Sequence, residues 1–169
     1  MNPRRTFSLS AVLLWGGFFA TSASALDAPK ERPVLTVTGK IAVKNSGDTA
    51  RFDMKMIEAL PQKTFTTSTP WFDKPVTFTG PLLSEVLAAV KASGTTVSAV
   101  AINDYKINIP VGDAVKHGVI VARLIDNKAI PVREKGPLFV VYPFDSNADL
   151  RTSTYYERSI WQLKALEIK

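Results

Sequence analysis

Short runs rich in β-branched and apolar residues, closed by Gly, Pro, Asn or Asp, recur along most of this chain and predict a series of short strands. "VLTVTGKIAV", from Val34, is the first, and "NSGD" turns the chain after it. "RFDMKMIEALPQ" puts Met54, Ile57 and Leu60 on one side of a short helix, which Asp53 can cap and Pro61 can stop. "TFTTSTPW" and "VTFTG" are strands joined through "DKP". Pro81 then opens a second helix, "PLLSEVLAAVKASG", where Leu82, Leu83, Val86, Leu87 and Val90 form an apolar stripe and Gly94 ends it. "TVSAVAI", "KINIP" and "GVIVARLI" read as strands, with "DNK" a hairpin turn into "AIPV". "GPLFVVYPFD" is a strand of the fully buried kind, "STYYERSI" holds one helical turn, and "WQLKALEI" closes as a strand. Two helices among many strands predict an α+β fold, mostly β.

The first 25 residues break this pattern. Arg4 and Arg5, an apolar run over residues 11–20 and Ala23-Ser24-Ala25 have the order of a cleavable export signal. The run is too short to span a bilayer comfortably. "RRTFSLS" is close to a twin-arginine signal, and an ordinary signal that happens to carry two arginines fits as well. Residues 26–33 read as a polar linker, and 34–169 as one domain. Cleavage after Ala25 leaves 144 of the 169 residues, enough to bury a core without staples. The expected location is the periplasm.

Composition narrows the chemistry. The chain has no cysteine, which excludes disulfides, thiolate nucleophiles, Cys-held metals and haem attached through Cys. The formal charge of +6 falls to +4 without Arg4 and Arg5, and the basic residues are scattered, so nucleic acid is not an expected partner. His117 is the only histidine and no G-x-S-x-G surrounds a serine. There is no P-loop, and the acids lack metal-ligand spacing. No catalytic residue and no metal ligand is assigned. His117 is expected in an exposed "KHG" turn.

Binding chemistry has more to work with. "TFTTSTPW" packs five hydroxyls into eight residues and ends on Pro70-Trp71. A surface strand and a pocket wall both fit, with Ser68 and Thr69 the wall candidates. Trp71 either stacks on a flat heterocycle or caps the core. In "NDYKINIP", Asp104 can accept two N–H bonds from a guanidine-like ligand edge, with Tyr105 beside it; an Asn-Asp turn bonded to its own backbone fits too. Arg133 and Lys135 flank Gly136, which suits an anion or polyol near a bare backbone, or a solvated hairpin edge. "YPFD" sets Tyr142 and Asp145 at a strand end, as a pocket wall or as a turn around Pro143.

Taken together, "FDMKMIEALPQKTFTTSTPW", "FTGPLLSEVL", "INDYKINIP" and "KGPLFVVYPFD" resemble the molybdopterin-binding fold of the sulfite oxidases, over about Leu35 to Ile168. In those enzymes a cysteine shortly before a tryptophan ligates molybdenum. Here that position falls at Thr67 or Ser68, and a hydroxyl is a poor ligand for a thiolate-demanding metal. The cysteine-less chain resembles the periplasmic pterin-binding regulators of cyclic di-GMP signalling. The resemblance implies a monapterin- or neopterin-like ligand rather than a molybdenum cofactor. It also implies a partner, the periplasmic domain of an inner-membrane enzyme that makes or degrades cyclic di-GMP. Trp71 is then expected on the ring, Asp104 on its amino-pyrimidine edge, and Arg133, Lys135 and Gly136 on the polar tail or ring carbonyl. The alternative is a molybdopterin-dependent oxidoreductase that holds its cofactor without cysteine.

Overall fold

The computed structural model describes residues 26–169, so the expected signal and its arginine pair lie outside the described residues. The architecture is α+β, mostly β. Strands β1 (Leu35–Gly39), β2 (Ala50–Phe52), β5 (Thr96–Ala101), β6 (Lys106–Pro110) and β11 (Leu163–Ile168) form a sheet in the order β2-β1-β11-β5-β6. Only β1 and β11 pair in parallel in it. A second sheet, in the order β3-β4-β8-β9, contains β3 (Gln62–Thr69), β4 (Phe72–Pro81), β8 (Leu124–Ile125) and β9 (Lys128–Ala129). Strands β7 (Ile120–Ala122) and β10 (Phe139–Val141) pair separately and are wholly buried.

Local chemistry sets several boundaries. Helix α1 (Met54–Ala59) starts where the Asp53 carboxylate accepts the Met56 N–H at 2.9 Å. Helix α2 (Leu83–Ala89) buries Leu83, Val86 and Leu87 on the expected stripe. It starts two residues after Pro81, because β4 continues through Pro81, which sits opposite Gln62. Gly80 allows β4 to cross β7 closely: a Cβ there would lie 2.0 Å from the Val121 carbonyl oxygen.

Four expectations give way. Helix α3 (Val111–Lys116) stands where the sequence shows no stripe; of its apolar residues only Ala114 is buried, and Val115 is 76% exposed. His117 caps α3 half-buried, its ring 5.4 Å from that of Tyr155, so the turn is not simply exposed. "GVIVARLI" is split at Arg123, whose N–H donates to Thr79, so β7 and β8 join different sheets. The polar 26–33 segment is also strapped down: Asp53 accepts the N–H groups of Lys30 and Glu31, and Asn45 donates to the Asp27 carbonyl.

The hydroxyl-rich strand divides in two. Thr64 and Thr66 pair across β3–β4 with Thr79 and Thr77, at 2.9 and 2.8 Å, on an exposed face. The register then shifts between Thr67 and Thr69, and Thr67 turns inward, 1% exposed. The strand end leads towards helix α4 (Ser153–Arg158), which follows two 3₁₀ turns at Phe144–Ser146 and Ala148–Leu150.

Candidate functional site: an aromatic groove and a polar cleft

The β3–β4 turn presents Trp71, whose N–H donates to the Thr69 hydroxyl at 3.3 Å. Its indole meets the rings of Phe139, Phe144, Tyr156 and Trp161 edge-on, with centroids 5.6–6.1 Å apart. Phe139 and Phe144 are buried, so they fix one side of Trp71 against the core. The other neighbours, Tyr156 and Trp161, stand with Trp71 on a groove of about 410 Å³. Tyr105, Asn103 and Glu157 complete its walls, and Ala101, Ser159 and Ile160 line it as well. The volume is in the range of small-molecule sites.

Each wall has a structural cause. Asn103 accepts the Tyr105 N–H through its side-chain oxygen at 3.2 Å, an Asx turn that leaves its amide nitrogen free to donate. Tyr105 and Trp161 remain 49% and 36% exposed, so aromatic surface is available for stacking. Behind Ser159, the Ile160 carbonyl accepts the Val140 N–H at 2.9 Å, tying the segment to buried β10. Helix α4 is braced by Arg158, which donates to the buried Asp113 at 2.8 Å. The same carboxylate oxygen accepts the Tyr142 hydroxyl at 2.7 Å. Burial, and then the neighbouring Asp113 carboxylate, push the Tyr142 phenol far above its ordinary range.

Tyr156 is also a wall of a second cleft, of about 320 Å³, with Ser68, Thr69, Pro70, Asp145 and Arg151. Asp145 accepts the Ser68 N–H at 2.7 Å and Arg151 Nη2 at 2.9 Å. These bonds, the Ser68 N–H foremost, hold its carboxyl below the ordinary carboxylate range. The Asp145 N–H donates to the Thr67 hydroxyl at 3.0 Å. The Thr67–Ser68 position thus offers a hydroxyl already bonded by the protein and a second hydroxyl in a polar cleft. Such a donor set does not fit a thiolate-held molybdenum.

The expected residues therefore separate. Trp71 and Tyr105 meet in the groove, and Ser68, Thr69 and Asp145 meet in the cleft. Lys135 lies over the Trp161 ring, 4.3 Å from its centroid, a cation–π contact, and lines a separate cavity with Phe72 and Ile130. Asp104 takes a left-handed conformation, φ 67°, and its exposed carboxylate pairs with Lys164 at 2.6 Å instead of lining the groove. That hydrogen bond, and the Lys164 charge, hold its carboxyl below the ordinary value. Arg133 is exposed on the 131–135 turn and lines neither cavity. Gly136 is not open to a ligand: a Cβ there would lie 1.9 Å from the Ile130 carbonyl oxygen, so the chain's own backbone fills the space. Tyr142 is a core residue, fully buried, not a pocket wall.

Sequence reasoning missed Tyr156, Glu157, Trp161 and Arg151, and read Asn103 only as part of a turn bonded to its own backbone, which it is, and not as a groove wall. The available signal was "YYERSIW", three aromatics in seven residues around a glutamate. Among the described residues no three His, Asp or Glu side chains gather as a metal site. No protein-family model and no curated protein matches the sequence.

Proposed function

We propose that this protein is a non-catalytic, exported binder of a flat nitrogen heterocycle of the pterin class, built on a molybdopterin-binding-like fold. One observation carries the reading. Four aromatic residues, Trp71, Tyr105, Tyr156 and Trp161, surround a carboxylate and a free amide donor in one groove. Aromatic faces stack on a bicyclic ring. The Glu157 carboxylate can accept the paired N–H groups of an amino-pyrimidine edge, the bidentate pattern first sought at Asp104. The Asn103 amide nitrogen can donate to a ring carbonyl. The resemblance of the sequence to periplasmic pterin-binding regulators supports the same ligand class.

In this reading, pterin occupancy alters docking onto the periplasmic domain of a membrane-bound cyclic di-GMP enzyme. Support comes from exposed apolar groups beside the groove. Ile102, Tyr105, Val132 and Trp161 are all at least 36% exposed. Gln162 links their loops, accepting the Ile102 N–H at 2.8 Å and donating to the Val132 carbonyl at 2.6 Å. A ligand seated among them changes the face a partner meets, and it biases docking only if it prefers the docked state.

The test uses the chain's own reporters. Of its three tryptophans, Trp71 and Trp161 both stand on the groove, and Trp15 belongs to the expected signal. Neopterin is expected to quench the fluorescence of the purified exported protein saturably. Extraction of the same sample is expected to release a fluorescent pterin without stoichiometric molybdenum. Absence of saturable quenching, or molybdenum in stoichiometric amount, overturns the reading.

A further inference from the structure

The groove is walled by apolar rings, but the cleft that shares Tyr156 with it has different chemistry. Its polar groups are the Ser68 and Thr69 hydroxyls, the Asp145 carboxylate and the Arg151 guanidinium. The two charges are opposite and bonded at 2.9 Å, so the cleft carries no net charge. Unused capacity remains on both. Arg151 spends Nη2 on Asp145 and Nε on the Phe144 carbonyl, and among the described residues Nη1 has no partner. The Asp145 oxygens accept the Ser68 N–H and Arg151 Nη2, the Ser68 hydroxyl also lies beside the carboxylate, and acceptor capacity remains for a further donor. The Arg151 side chain is 52% exposed, so these groups are reachable from solvent.

Donors and acceptors alternating over a few ångströms, with charges already compensated, match one chemical class. A hydroxyl donates one bond and accepts others, so a run of vicinal hydroxyls can meet guanidinium, carboxylate and hydroxyl in turn. A phosphate offers acceptors alone, and its charge would face Asp145 across a guanidinium that is already neutralised. We propose that this cleft is a subsite for a neutral polyhydroxyalkyl chain attached to the heterocycle held in the aromatic groove. The subsite rests on the heterocycle-binding reading, and Tyr156 is the element common to both halves.

Titration of tryptophan fluorescence with three probes separates the possibilities: 6-methylpterin, which has no polyol, neopterin, which carries a trihydroxypropyl chain, and neopterin phosphate. Neopterin is expected to bind about ten-fold more tightly than 6-methylpterin, the gain from two or three hydrogen bonds to the Arg151 guanidinium, the Asp145 carboxylate and the cleft hydroxyls, net of desolvating those charges and ordering the chain. The ratio between the two is expected to fall towards one in Arg151→Gln. Ser68→Ala, which keeps the Asp145–Arg151 pair and the Ser68 N–H, is expected to lower it too. Equal affinities in the unmodified protein overturn the subsite and leave the heterocycle reading standing. Tighter binding of neopterin phosphate than of neopterin overturns the neutral assignment in favour of an anion site. If neither unphosphorylated pterin quenches, the heterocycle reading falls and the subsite falls with it.

Discussion

Replacing Asp113 by alanine tests the brace on which the groove wall depends. Asp113 lies on α3, 9% exposed, and one of its oxygens accepts both the Tyr142 hydroxyl and Arg158 Nη1. Alanine leaves the buried Tyr142 hydroxyl without its acceptor, a cost of about 1–3 kcal/mol. It also removes the partner of Arg158. A fully buried pair would add about 3–5 kcal/mol, but this arginine side chain is 23% exposed, so the addition is smaller, about 1–2 kcal/mol. The sum is about 3 kcal/mol, or roughly 10 °C in Tm for a chain of this size. Urea unfolding followed by tryptophan fluorescence measures it, with the midpoint falling at unchanged slope. Tyr142→Phe, which leaves Arg158 on the carboxylate, is expected to cost about 1 kcal/mol. The double variant should cost less than the two singles combined, by about 1 kcal/mol, because no orphaned hydroxyl remains. A loss below about 1 kcal/mol for Asp113→Ala, or strict additivity, refutes the brace.

Four further outcomes follow from other contacts. The Tyr142 phenol is raised above its ordinary 10.0, so its contribution is intact below that pH. It is lost as pH rises further, at about 1.4 kcal/mol per pH unit, and Tyr142→Phe should flatten that alkaline slope in urea midpoints taken from pH 9 upward. Gly136→Ala forces a methyl into the Ile130 carbonyl and should destabilise by at least about 1–3 kcal/mol; an unchanged melt would disprove the close approach. Trp161→Ala should weaken pterin binding by the folded protein about ten-fold or more and also cost about 2–3 kcal/mol of stability, since the indole is only 36% exposed and packs edge-on against Trp71 and Phe139 and under Lys135; affinity of the folded fraction within two-fold of the parent removes it from the site. Asp104→Asn should change neither melting nor affinity measurably, because its partner is an exposed lysine; a ten-fold loss of affinity would return Asp104 to the site.

Where one short stretch contains the whole cause, the sequence was readable. Asp53 caps α1 from within three residues, the α2 stripe buries as its spacing predicts, and Asp126-Asn127 supply the two positive φ angles of the "DNK" hairpin. Where the cause lies far along the chain, residue type alone misled. Tyr142 reads as an amphipathic pocket residue until Asp113, 29 positions away, takes its hydroxyl. Asp104 reads as a free acceptor until Lys164, 60 positions away, takes its carboxylate. Gly136 reads as an open backbone until Ile130 fills the space. The threonines of β3 had two causes in one strand, an exposed hydroxyl ladder and then a cleft wall, and only the register shift separates them.

The segment "YYERSIW" carries no readable face by itself for the same physical reason. Helix α4 has six residues, no side-chain cap bond and no fully buried residue of its own. A helix that short is not stable alone and shows no periodic stripe from which a face could be read. Its placement depends on the Arg158–Asp113 bond and on the rings of Tyr155 and Tyr156 against Tyr142 and Phe144. The wall that supplies Tyr156 and Glu157 to the groove is therefore set by tertiary contacts made on its far side. On the proposed function, affinity for a stacked heterocycle is coupled to the integrity of that brace. Loosening Asp113 should weaken pterin binding although Asp113 lines neither cavity, whereas an equally destabilising change in the strap at Asp53 should leave binding to the folded fraction intact.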